Sequence, residues 1–237
     1  MPAPVSRTFS VRHVQLARAL FAAVAALMVT FSPDHSAAVG LAVFSGFALA
    51  TGLIHILAAW LAAAPGARWP HVLMGAISLA TGMAGGIPAW RSVPMFFVLV
   101  IGWGALTGLV ELLAGIRVRR AARAAGLEPR AAAEGSRDAI IAGALGLVLA
   151  VGLLLVPMQY SWSYSIEDAG QFTLTGITLA VGIFGAYAAI VAVFLAIAGF
   201  SPRPPISTEA PGRATGDGTV LAAVVRTNPT AERGGTA

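Results

Sequence analysis

Leu99-Val100-Ile101-Gly102-Trp103-Gly104-Ala105-Leu106-Thr107-Gly108-Leu109-Val110-Glu111-Leu112-Leu113-Ala114-Gly115-Ile116 is an apolar run with one ionisable side chain, and it stops at Arg117-Val118-Arg119-Arg120. With Met95-Phe96-Phe97-Val98 in front of it, the run reaches the roughly 20 residues that a helix needs to cross the hydrocarbon core of a bilayer. Arginines at its exit belong with water and headgroups. The solvent for this stretch is therefore lipid, and the rest of the chain reads the same way.

The chain has 237 residues, of which 57% are apolar and 11% charged, with a mean hydropathy of +0.82. A soluble domain carries about 25% charge. The composition excludes an ordinary globular enzyme and an arginine-coated nucleic-acid binder, so the expected partner is the lipid bilayer and not nucleic acid. There are no cysteines, which removes disulfides, thiolate metal sites and thiol nucleophiles. All 15 basic residues are arginine.

Six apolar segments are expected as spans, at 14–31, 37–61, 71–90, 95–116, 138–157 and 172–200. Short breaks carrying proline or charge separate them, such as Ser32-Pro33-Asp34-His35 and Arg91-Ser92-Val93-Pro94. The fold class read from this pattern is all-α, a polytopic membrane protein. Residues 1–13 form an N-terminal arm, 117–137 a basic loop that extends the fourth helix until Gly126 and Pro129 interrupt it, and 201–237 a polar tail too poor in apolar periodicity to build a core, expected to be disordered. The first segment imitates a secretion signal, but cleavage near Ala38 would start the mature chain inside the second span, so it reads as an anchor.

Arginines of short loops stay in the cytoplasm. Alternate connections hold fourteen of them on one side, counting Arg7, Arg12 and Arg18 in the arm, against Arg91 alone on the other. Both termini are thereby expected in the cytoplasm, in the inner membrane of a bacterium. Trp60 and Trp69 fall at the inner boundary and Trp90, Tyr160, Trp162 and Tyr164 at the outer one, where amphipathic rings prefer to lie.

The even-numbered helices repeat. Thr51-Gly52-Leu53-Ile54-His55-Ile56-Leu57-Ala58 matches Thr107-Gly108-Leu109-Val110-Glu111-Leu112-Leu113-Ala114 at an offset of 56, and Gly185-Ala186-Tyr187-Ala188 continues the series at an offset of 77. The first and third segments end at prolines 55 apart, Pro33 and Pro88. Three helical hairpins follow from this periodicity. In residues 99–117, the small residues, Trp103, the glycines, Glu111 and the basic exit resemble the HdeD family of small bacterial acid-resistance membrane proteins, which are built from two-helix repeats. The resemblance spans roughly 14–200 and implies a role in acid or envelope stress. The first hairpin departs from the pattern by placing His55 where the second has Glu111.

Ionisable groups inside a membrane are costly and are functional candidates. His55 and Glu111 occupy equivalent repeat positions about 9 Å, at 1.5 Å per residue, inside the basic end of their helices. Two readings stand: a proton-relay or pH-sensing pair, or side chains that reach the interface and satisfy Arg18, His71 and Asp138 while holding the hairpins in register. Small residues four apart, such as Gly82 with Gly86 and Gly104 with Gly108, let backbones approach within the chain or at an oligomer interface. Thr51, Gly52, Thr107 and Gly108 belong to the same packing motif. Arg117, Arg119, Arg120 and Arg123 are candidate contacts for anionic headgroups. Between 158 and 171 the aromatics alternate, which suits a short ribbon or an interfacial anchor.

No phosphate-cradling glycine loop, His-Glu-x-x-His or ligand cluster at metal spacing occurs in the sequence. A non-enzymatic protein with no cofactor and no metal is expected. Three function classes remain. The first is stress resistance, as the family resemblance implies. The second is a small transporter or proton channel using His55, Glu111 and deep hydroxyls such as Ser45, Ser78, Thr81 and Thr178. The third is a scaffold or accessory subunit whose Gly-rich faces meet a membrane-protein partner or a second copy.

Overall fold

A computed structural model describes residues 11–63, 66, 68–126, 129–167 and 170–201. The N-terminal arm before Val11, Asp168 and the tail from Pro202 lie outside these residues, and with them the expectation of a disordered tail. Residues up to Ser201 form one unit. Its described residues form six α-helices: α1 (Val11–Phe31), α2 (Ala37–Leu61), α3 (Trp69–Gly86), α4 (Val93–Ala124), α5 (Pro129–Leu154) and α6 (Gly176–Phe200). Five of them, all but α3, are long and apolar enough to cross a membrane. In α3 the polar opening Trp69-Pro70-His71 lowers the hydropathy of an 18-residue helix.

Local chemistry accounts for the helix ends. Ser36 caps α2 by accepting from the Val39 N–H, and Thr175 caps α6 by accepting from the Thr178 N–H. Pro70 and Pro94 sit in the first turns of α3 and α4, where the missing N–H costs nothing. Gly126 adopts φ +63° just beyond α4 and stops it.

Several boundaries differ from the sequence reading. The basic stretch 117–137 extends α4 to Ala124, short of Gly126, because its alanines and arginines are good helix formers, but past the break it is no loop, for α5 already begins at Pro129. The third span stops at Gly86, since Pro88 cannot continue it, and a single 3-10 turn follows at Pro88–Trp90. The expected sixth span loses 172–175 to a β-hairpin, β1 (Ser161–Ile166) against β2 (Gly170–Thr175), paired antiparallel from Ser161↔Thr175 to Ile166↔Gly170. Thr, Phe and Leu in alternation favour the pleat, and Gly170 at φ +96° closes the turn.

The helices close into a ring in which the tightest packing joins α2 to α3, α4 to α5 and α6 to α1. Each of these seams is antiparallel, and a repeat glycine lies in each. A Cβ on Gly52 would stand 2.9 Å from Leu79, one on Gly108 2.8 Å from the Gly143 carbonyl oxygen, and one on Gly185 2.5 Å from Val29. The seams therefore join the even helix of one expected hairpin to the odd helix of the next. The two helices of a hairpin touch less extensively.

Even helices line the middle, where Phe44, Phe47, Trp103 and Phe184 meet edge to face with centroids 5.3–5.8 Å apart. Phe44, Phe96 and Phe184 are completely buried. Outward, every helix shows lipid-compatible side chains, among them Leu27, Leu53, Met83, Val98, Val148 and Val193. An apolar exterior of that extent belongs to a protein surrounded by lipid.

Candidate functional site

The aromatic layer divides the interior. On the side of Arg68 and Arg117, the bundle gathers its ionisable groups. Arg18 of α1 and Glu111 of α4 form a bidentate ion pair, Nη1 to Oε1 at 2.8 Å and Nη2 to Oε2 at 3.2 Å, with side chains only 15% and 12% exposed. A guanidinium fork fits a carboxylate in this way, which adds geometric specificity to charge. Arg18 was assigned to the N-terminal arm on the sequence. Its place inside α1, seven residues into the helix, takes it out of the loop count and makes it a partner of the site.

His55 of α2 is 2% exposed, and its Nδ1 lies 3.3 Å from Nδ1 of His71 at the start of α3, with the rings tilted by 33°. Such a bond needs one ring to donate and the other to accept, so the two imidazoles carry opposite Nδ1 roles. Gln15 of α1 donates from Nε2 to Asp138 Oδ2 of α5 at 3.0 Å. Trp103 donates from Nε1 to Ser78 Oγ at 2.9 Å, joining α4 to α3, and Thr107 Oγ1 donates to the Trp103 carbonyl at 2.6 Å. Ser45 Oγ donates to the Gly82 carbonyl at 2.6 Å across the α2–α3 seam. Thr107 bonds within α4 and Gln15–Asp138 joins two odd helices, while the other contacts tie odd helices to even ones, satisfying groups that lipid cannot.

His55 and Glu111 both line one small void, with Arg18, Thr51, Thr107 and Tyr187 around it. The void measures about 10 Å³, room for about one water molecule. Thr51 Oγ1, which makes no hydrogen bond, is buried at its edge. Below the void, a vestibule of about 410 Å³ reaches His71 and Glu111 and is walled by Trp69, Met74, Gly115 and Arg117. Above it, the aromatic rings of Phe47 and Trp103 close the interior. The vestibule and the void share Met74 and Glu111 as walls.

The remaining sequence candidates fall elsewhere. Gly52, Gly82, Gly104 and Gly108 lie in the seams: a Cβ on Gly82 would stand 2.9 Å from Leu49, and one on Gly104 3.0 Å from the Gly146 carbonyl oxygen. Gly86 faces Ser45 Oγ. Arg117, Arg119, Arg120 and Arg123 are exposed on the last turns of α4, with the Arg117 guanidinium 5.1 Å from the centroid of the Trp69 ring. Among the described residues there is no group of three His, Asp or Glu close enough to hold a metal ion.

Sequence reasoning did not anticipate Tyr187, the Gln15–Asp138 bond or the Trp103–Ser78 bond. The available signal was a polar residue amid apolar ones at 15, 18 and 138, each on an odd helix and each near the basic end. No family model, curated protein or solved structure matches the chain, so the chemistry of the site is read from its own residues.

Proposed function

We propose that this chain is a non-enzymatic, multi-pass protein of the bacterial inner membrane, related to the HdeD family and acting in resistance to acid or envelope stress. In this reading it crosses six times as three hairpins, with both termini in the cytoplasm. Although α3 lacks a stretch as apolar as those of the other five helices, its 18 residues rise about 27 Å, close to the thickness of a hydrocarbon core. It also carries exposed Leu73 and Met83 as its neighbours carry theirs. The closed series of seams supports three equivalent hairpins, and exposed Arg119, Arg120 and Arg123 suit an anionic headgroup layer.

The observation that carries the reading is the gathering of ionisable groups from α1, α2, α3 and α4 at the arginine-rich end, beneath a layer of buried rings. Such a site can take up or release protons on one side without passing them to the other. When both His55 and His71 carry a proton on Nδ1, each is a donor there and the bond across the α2–α3 seam is lost. Protonation of both rings would thereby loosen a seam next to the ion pair.

Proton flux in proteoliposomes, measured with acid survival of cells, tests this. The native protein should add no proton permeability, while survival should depend on it and fall in His55→Ala and Glu111→Gln. Proton flux by the native protein that Glu111→Gln abolishes would overturn the reading in favour of a transporter or proton conductor. That second reading has one observation behind it, the vestibule reaching from the arginine-rich end to His71 and Glu111.

A further inference from the structure

The β-hairpin between α5 and α6 has two chemically opposite faces. Alternation along each strand, combined with the register Trp162↔Leu174 and Tyr164↔Phe172, puts those four apolar side chains on one face. Ser161, Ser163, Ser165, Gln171, Thr173 and Thr175 occupy the other. The aromatic face is assembled: Tyr164 and Phe172 stack with centroids 5.8 Å apart, and Trp162 leans on Tyr164 at the same distance. It is also uncovered, since Trp162, Tyr164 and Phe172 are 59%, 40% and 43% exposed. The polar face has its own cross-strand contact, Ser163 Oγ to Thr173 Oγ1 at 3.2 Å.

We propose that this ribbon lies flat on the leaflet at the arginine-poor end of the bundle, with its aromatic face in the headgroup and upper-chain region and its hydroxyl face toward water. Three observations choose that occupant. The root of the ribbon is fixed at the helix ends, because the Gly176 N–H that opens α6 donates to the Tyr160 carbonyl at 2.8 Å, only six residues beyond the end of α5. Exposed Leu154, Leu155, Met158 and Tyr160 run from the outer face of α5 into the ribbon, so its apolar surface continues the one that faces lipid. No charge falls on either strand, and the aromatic types present are those that favour the membrane–water boundary.

Insertion tip-first is excluded by the same chemistry. It would bury Glu167 at the turn and leave two open strand edges with unpaired N–H and C=O groups in hydrocarbon. Lying in the interface, the edges bond to water and headgroups.

The proposal rests on the membrane-spanning reading and is tested apart from it. Because the chain has no cysteine, single cysteines can carry an environment-sensitive fluorophore in vesicles of phosphatidylethanolamine and phosphatidylglycerol. Labels at Tyr164→Cys and Phe172→Cys should be quenched at least threefold more by a shallow nitroxide lipid than labels at Ser163→Cys and Thr173→Cys, which iodide should quench instead. A label at Val148→Cys, on the exposed face of α5, reports spanning on its own through a deep nitroxide. Equal iodide quenching at all four ribbon positions, with Val148 still in lipid, overturns the ribbon proposal alone. Failure at Val148 overturns the spanning reading and the proposal together. Brominated-lipid quenching of the unlabelled chain should weaken in Trp162→Phe; an unchanged value would also count against it.

Discussion

Arg18 and Glu111 stand in an environment where neither charge is tolerable alone. Removing one partner of a buried ion pair typically costs about 3–5 kcal/mol, because the other charge is left without compensation, whereas replacing both with apolar groups of similar size is often close to neutral. Glu111→Leu should therefore lower the thermal unfolding midpoint in mild detergent more than the double variant Arg18→Met/Glu111→Leu does. Additive losses would show that the two side chains do not depend on each other. His55→Ala should be milder: it removes one hydrogen bond to His71, worth about 1 kcal/mol, and opens a small cavity. At this scale the sequence exposed His55 and Glu111, because a charge inside an apolar run is conspicuous. Arg18 and His71 stood among the partners that one reading gave them, but the pairing, Arg18 with Glu111 and His55 with His71, was less legible. Arg18 lies close enough to Arg12 to pass for loop charge, and no periodicity in one helix says which neighbour it will face.

Glycine seams govern the elements. Gly108 and Gly143 bring α4 and α5 together at the backbone, and a Cβ at either would meet the opposite main chain at 2.5–2.8 Å. Main chain cannot move aside as a flexible side chain can. Gly108→Ala should consequently cost on the order of 1–3 kcal/mol by overpacking, whereas Gly102→Ala, with nothing within 4 Å of the added carbon, should be neutral or slightly stabilising in its helix. Comparison of the two midpoints by thermal unfolding checks this, and equal effects would deny the seam its role. The Thr-Gly motif and the prolines that end helices were readable because each acts locally. The continuation of α4 past its arginines toward Gly126 was readable too, since arginine marks a membrane boundary without ending a helix, whereas the start of α5 at Pro129 was not. The hairpin was visible only as alternating aromatics, because two short strands carry little signal beside six apolar runs.

At the scale of the molecule, the six described helices form a closed ring with aromatic rings across its middle and a vestibule at the arginine-rich end. Hydropathy made the lipid environment plain from the sequence, and the offset repeat made hairpins plausible. Which helices would press together was not readable, because Gly-rich faces occur on most of them. The ring predicts that opening the aromatic layer changes permeability: Phe47→Ala with Trp103→Ala should raise passive proton leak in proteoliposomes above that of the native protein, and an unchanged leak would place the barrier elsewhere.

The central claim, six crossings with the arginine-rich connections inside the cell, is tested most directly by single-cysteine labelling with a membrane-impermeant maleimide. His35→Cys, Ser92→Cys and Ser163→Cys should react in intact cells, and Gly66→Cys and Arg119→Cys only after the inner membrane is permeabilised. Labelling of Gly66→Cys and Ser92→Cys from the same side would show that α3 does not cross, and labelling of Arg119→Cys in intact cells would reverse the orientation.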